Sequence, residues 1–180
     1  MNTVMKDKHI IVPENPVSNF LFNDTRSAWI WLVIRLYVGW AWLTAGWKKV
    51  FNPAWTGENA GAAVGGYLQG ALAKAAEGGD VPGWYAWFIE NIALPNATIF
   101  SYFVAYGEVL VGLGLILGLL TGIAAFFGGL MNVSFLLAGT LSTNPVLFIL
   151  ATWLVLAWKV AGWYGLDRWA LPKLGTPWKR

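Results

Sequence analysis

Two ionisable side chains stand deep in apolar sequence, and they are where chemistry could occur. Glu108 is near the middle of residues 98–120, TIFSYFVAYGEVLVGLGLILGLL, a stretch with no other charge. Arg35 is the ninth residue of another apolar run, 27–47. An ionised group inside hydrocarbon costs at least about 2.5–3.5 kcal/mol on insertion scales. Glu108 must therefore be protonated, paired, or turned toward a wet or protein-lined interior. A carboxylate paired with an arginine offers two kinds of chemistry: holding and moving a proton, or binding a polar ligand. The plainer alternative is that such a pair only fixes which helices meet, and the residues leave that choice open. Asn132, midway along residues 122–141, adds an amide that can hydrogen-bond a neighbouring helix or orient the pair. Lys48 and Lys49, just after the first run, can anchor at an interface or attract an anion.

The elements that must position these residues are membrane helices. The chain has 180 residues, 57% hydrophobic and only 12% charged, about half the charge of a soluble domain. Residues 109–158 contain no Asp, Glu, Lys or Arg, and those 50 positions (158 − 109 + 1) must hold more than one span. The expected fold is all-α, a single domain over 1–180: an integral membrane four-helix bundle with spans at about 27–47, 98–120, 122–141 and 146–166. The polar start has no short apolar core with a cleavage site, so the first span should serve as an uncleaved anchor. The long connection, 52–96, should lie outside the cytoplasm and carry short interfacial helices. One is at 59–76, with Val64, Leu68 and Leu72 recurring every four residues. Another is at 83–94, with Trp84, Trp87 and Phe88 on one side.

With both termini inside, Lys6, Lys8, Arg26, Arg168, Lys173, Lys179 and Arg180 flank the spans on the inner side, against Lys48, Lys49 and Lys74 outside. This bias puts both termini in the cytoplasm. Counting depth at about 1.5 Å per residue from the inner edge puts Arg35, Glu108 and Asn132 within about 6 Å of one another in depth. An Arg35–Glu108 pair at the midplane is the resulting expectation, with Trp31 one turn away to stack on the guanidinium. Gly114, Gly118 and Gly122 form small-xxx-small spacings suited to close helix approach. Lys159 should snorkel to the nearer surface.

Some chemistry is excluded by residue type. There is no cysteine, and the one histidine, His9, lies in the polar N-terminal stretch. Thiolate catalysis, cysteine-ligated iron–sulfur clusters and zinc, and a haem held by two histidines of this chain are ruled out, and no metal site is expected. The net charge of +3 reflects basic residues at span ends. They fit lipid headgroups rather than nucleic acid.

Three motifs resemble the DoxD/DoxX family of membrane proteins. They are Arg35-Leu36-x-x-Gly39-Trp40-x-Trp42-Leu43-x-Ala45-Gly46-x-x-Lys49, Gly107-Glu108-x-x-x-Gly112-x-x-Leu115-x-x-Gly118, and Gly128-Gly129-Leu130-Met131-Asn132. The resemblance covers roughly residues 27–170. The long tryptophan-bearing loop and Pro95 are more similar to the DoxD branch. That branch implies a membrane subunit of a thiosulfate:quinone oxidoreductase in a prokaryotic cell membrane, working with a separate DoxA-like redox partner and passing electrons to quinone. On this reading Arg35 and Glu108 are catalytic, Arg35, Glu108 and Asn132 hold the quinone, and Lys48 and Lys49 draw in the anion. The alternative is a non-catalytic anchor or assembly subunit of a respiratory or electron-transfer complex. A small-anion transporter is the weakest reading, since no repeat or broken helix is evident. Assembly with copies of itself stays open under all of these.

Overall fold

The structure is a computed structural model that describes residues 13–175. Lys6, Lys8, His9, Lys179 and Arg180 lie outside the described residues. Prolines set several helix starts, because a proline in the first turn wastes no hydrogen bond. Pro16 opens α1 (Pro16–Asn23), with the Asn15 side chain accepting from Val17 N–H as its cap. The long helix α2 (Ala28–Val50) has no internal proline and takes Lys48 and Lys49 into its last turn. Pro53 then opens the short α3 (Pro53–Thr56), capped by Asn52. The outer connection continues through α4 (Ala62–Ala76) and α5 (Gly83–Phe88), which runs into a π turn at Ile89–Ala93. Then come α6 (Ala97–Leu117), α7 (Thr121–Leu137), α8 (Asn144–Leu156), the one-turn α9 (Trp158–Ala161) and α10 (Asp167–Lys173). No strand occurs among the described residues.

Two stretches, Thr25–Val50 and Ala97–Leu117, are long and apolar enough to cross a membrane; Thr121–Leu137 and Asn144–Leu156 are apolar but shorter. The last three expected spans thus end early, the third at Leu137 rather than 141. The second stops at Leu117 because Gly118 adopts φ 64°, a left-handed C-terminal cap, rather than continuing as a packing face. The fourth breaks at Ala157 into α8 and α9. Large apolar side chains stay exposed along the helices, among them Trp29, Val33, Trp40, Phe103 and Leu110. An apolar exterior of this extent is suited to lipid, not water.

α2 packs on α6, α6 on α7, α7 on α8 and α8 back on α2. The α2–α6 seam is antiparallel and made by glycines. A Cβ built on Gly46 would stand 2.6 Å from Val109 N, and one on Gly112 would stand 2.5 Å from Leu43 N. Backbone approach this close is how membrane helices gain van der Waals contact without a hydrophobic driving force between them. Trp42, Val111, Leu115, Ala125 and Leu154 fill the core. A second core lies under the outer connection, where Val64, Leu68, Tyr85 and Ile89 pack together with Ala138. The expected helices of this connection are present, with Trp84 and Trp87 exposed. The N-terminal stretch, read only as polar, forms α1, and its Leu21 and Phe22 pack on the main core.

Candidate functional site

The seam decides which charges meet. Gly46 of α2 lies against Glu108 of α6, while Gly39 lies against Leu115 and Ile116. Arg35 is 46 − 35 = 11 residues from Gly46, so it is displaced from Glu108 by about 16 Å along the pair at 1.5 Å per residue. The expected Arg35–Glu108 pair is not formed. Counting each span inward from a common edge fails because the helices are staggered. α2 begins well beyond the end of α6, and Arg35 is level with the α6 terminus.

Glu108 is instead paired with Lys49. The Lys49 ammonium donates to Glu108 Oε2 at 2.5 Å, and the side chains are 21% and 2% exposed, respectively. The lysine comes from the last turn of α2 and reaches Glu108 halfway along α6. The Trp55 ring of α3 lies 5.0 Å from Lys49 Nζ, a cation–π contact on the side facing the outer connection. α3 is held there by two bonds from α6: Ser101 Oγ donates to Trp55 O at 2.6 Å and Tyr102 Oη to Thr56 O at 3.2 Å. Lys49 therefore satisfies an internal carboxylate rather than standing free at a mouth. Lys48, its neighbour, is exposed.

Arg35 fastens the other end of the bundle. It is 1% exposed, and it donates through Nη1 to Leu115 O (2.9 Å) and Ile116 O (3.3 Å) and through Nη2 to Tyr164 O (3.0 Å). The last carbonyls of a helix have no partner within it and carry the negative end of its dipole, so a guanidinium fork there answers both needs. Gly118 and Gly165 make the room: a Cβ on either would run into the Arg35 guanidinium. Trp31, expected to stack on this group, stacks on Phe22 at 5.6 Å and donates to Leu21 O.

Asp167 completes this knot, and sequence reasoning missed it by placing it in the polar tail. It is fully buried, and its carboxylate accepts from Leu120 N–H (2.6 Å) and Thr121 N–H (2.9 Å). It thus caps the positive end of α7, as Arg35 caps the negative end of α6. It also holds Leu120 at φ 49°, a left-handed conformation rare for leucine. The available signal was an acid set just after a glycine-rich turn, at the start of a short helix.

Asn132 is also fully buried, one turn beyond Gly128. Its Nδ2 donates to Asn144 Oδ1 at 3.0 Å, and Asn144 donates on to Thr140 O. It joins α7 to α8 and touches neither Arg35 nor Glu108 through any hydrogen bond among the described residues. Gly107 meets Met131, so Asn132 is nearly level with Glu108 across α6 and α7. Lys159 bonds Asn23 Oδ1 at 2.8 Å, tying α9 to α1. The outer connection is fastened by phenols. Tyr67 Oη pairs with Thr140 Oγ1 at 3.0 Å, and Tyr85 Oη donates to Ser134 O at 2.9 Å. Burial pushes both phenols above their usual pKa, against a smaller opposing effect of those bonds.

The space between α2 and α6 along their seam is taken up by backbone contact. Glycines bring the two backbones together at Gly39, Gly46 and Gly112. Among the described residues, no group of three or more His, Cys, Asp or Glu could hold a metal ion.

A chain whose described residues form helices without strands, with apolar exposed faces, buried charges that join helices and backbones brought together at glycines, is a membrane protein. The DoxX family model matches residues 30–141, 112 of the 180 positions, and the chain belongs to the DoxX family. All three motifs fall inside the matched segment. No solved structure matches the chain.

Proposed function

We propose that this chain is the membrane-embedded assembly subunit of a quinone-linked oxidoreductase, a four-span bundle that holds a separate redox-bearing partner at the membrane. One observation carries the reading: Arg35, Asp167 and Glu108 all have their charges engaged in joining helices. A side chain whose hydrogen bonds are already committed to backbone or to a counter-ion serves the scaffold first. The exposed Trp84 and Trp87 of the outer connection are the aromatic surface on which a partner would dock. Thiosulfate oxidation, with electrons passing to membrane quinone, is the activity that the DoxD-like loop suggests for the assembled complex. Orientation with both termini in the cytoplasm of a prokaryotic cell belongs to the same proposal.

A second reading makes the Lys49–Glu108 pair part of the reaction. It is favoured by the partial exposure of Lys49 beside a buried carboxylate, which lets a proton reach Glu108 from the outer side. The two are separated by a folded, charge-free variant. The complex is purified from membranes through this subunit and assayed for thiosulfate-dependent reduction of a soluble quinone analogue. With Lys49→Met/Glu108→Gln, the assembly reading expects the partner to remain bound and turnover to stay within about twofold of the parent. An intact complex whose turnover falls by 10²-fold or more, the usual size of a lost acid–base contribution, would establish the second reading. Absence of any co-purifying partner or activity from the parent itself would remove both.

A further inference from the structure

At the terminus-side end of the bundle a cleft of about 370 Å³ opens between the end of α6 and the segment that leads into α10. Its lining combines the apolar Ile116, Leu117 and Leu166 with Tyr164, Trp169 and Arg168. The Arg168 guanidinium lies 5.0 Å from the Trp163 ring, and no carboxylate is within salt-bridge reach of it among the described residues. Residues 162–175 contain one acid, Asp167, and that side chain is buried on α7. Lys173 follows Trp169 by four residues on α10, so it stands on the same face. Among the described residues, the lining thus joins a cation that has no carboxylate partner to apolar side chains.

The depth of this cleft agrees with its chemistry. Trp29 and Trp47, both exposed on α2, are 18 residues apart (47 − 29), about 27 Å at 1.5 Å per residue, close to the thickness of a hydrocarbon core. The cleft is joined to α2 through Arg35 and Tyr164 O. Arg35 is six residues from Trp29 (35 − 29), so the cleft lies within about 9 Å of the interfacial level marked by that indole. Tryptophan and tyrosine at this level are typical interface residues, and an arginine beside them meets lipid phosphate.

We infer that this cleft is a binding site for one anionic phospholipid, its phosphate held by Arg168 with Lys173 nearby and an acyl chain lying on Ile116, Leu117 and Leu166. Charge complementarity selects the headgroup, because Arg168 lines the cleft, Lys173 follows on the same helix, and no acid lines it among the described residues. The chain then follows from the apolar lining, which is continuous with the exposed flank of α6 at Leu117. This site stands independently of either functional reading.

The test uses the full chain purified in detergent and native mass spectrometry with added phosphatidylglycerol or phosphatidylcholine. Phosphatidylglycerol is expected to be retained the more tightly, as a discrete one-lipid adduct. Arg168→Gln is expected to weaken that adduct about fivefold, the equivalent of roughly 1 kcal/mol per interfacial cation, and to leave phosphatidylcholine unchanged. Arg168→Lys keeps the charge and should fall between parent and Arg168→Gln. It serves as the second variant if the first fails to fold. Arg26→Gln, at an arginine already paired with Asp24, should change nothing. Equal retention of the two lipids, no effect of Arg168→Gln, or displacement of the lipid by millimolar inorganic phosphate would each overturn the site, the last by showing a free-anion site instead.

Discussion

Removing Lys49 while leaving Glu108 in place tests the central geometric finding. In Lys49→Met the Glu108 carboxyl remains only 2% exposed and loses its counter-ion. It can stay buried as an unpaired anion or take up a proton. The second course is the cheaper, and its cost follows from the ordinary glutamate value of about 4.3: at pH 7, (7.0 − 4.3) × 1.36 is about 3.7 kcal/mol. This lies within the roughly 3–5 kcal/mol seen when one partner of a buried pair is removed. At roughly 2–4 °C per kcal/mol for a chain of this size, the unfolding midpoint should fall by about 7–15 °C. Intrinsic tryptophan fluorescence during heating in detergent reports it, since the chain has 13 tryptophans. The sign of the pH dependence is set by proton count. The folded variant holds a proton that the unfolded chain releases above about pH 4.3, so stability falls as pH rises, and the deficit should shrink by about 1.4 kcal/mol between pH 7 and pH 6. Lys49→Met/Glu108→Gln carries no buried charge and should recover most of the loss. A Lys49→Met midpoint within 2 °C of the parent, or a deficit that neither acid nor Glu108→Gln relieves, would refute the pairing.

The remaining predictions address the other fastenings. Arg35→Lys keeps the charge but loses the fork that reaches Leu115, Ile116 and Tyr164 together; it should cost about 1.5–3 kcal/mol, read as a lowered unfolding midpoint. Gly46→Ala pushes a methyl to within 2.6 Å of Val109 N and should destabilise by about 1–3 kcal/mol. Gly65→Ala in α4, with nothing within 4 Å, should instead stabilise by about 0.4–1 kcal/mol. The raised pKa of Tyr67 and Tyr85 makes them stabilising below the unfolded value near 10, and that stability is lost as pH rises through their folded values. Tyr67→Phe/Tyr85→Phe should therefore flatten the fall of the unfolding midpoint between pH 9 and 12.

The helical class was legible in the sequence because apolar runs of this length and low charge have few alternatives. The outer helices were also legible, since Val64 and Leu68 repeat with helical period and are both buried. Helix stagger was not. Depth counted from span edges assumes that all helices enter together, whereas α2 and α6 slide until Gly39, Gly46 and Gly112 find backbone to touch. Hydropathy cannot register that slide, because moving one apolar helix along another changes nothing in composition. The left-handed Gly118 was misread for a related reason: a glycine spaced four residues from others serves equally as a packing notch or a helix terminator. Asp167 escaped notice because its partners are backbone amides, which have no sequence signature.

The arrangement of the charges bears directly on function. Arg35 and Asp167 stabilise helix ends at the turn joining α6 to α7, and their partners are main-chain groups that every sequence has. Such contacts can be kept through any reaction and carry no proton. Lys49 and Glu108 differ, since both partners are titratable and Lys49 is partly exposed, next to the Trp55 ring of α3. Under the proposed quinone-linked function, proton handling would fall to this pair rather than to the arginine knot. A proton placed on Glu108 would remove the counter-ion of Lys49 and leave the lysine with the Trp55 ring of α3 as its remaining contact. Trp84 and Trp87 are exposed on the same connection as α3. A change of charge at Glu108 therefore meets Lys49 and the Trp55 contact first, while Arg35 is bonded to main-chain carbonyls about 16 Å along the seam.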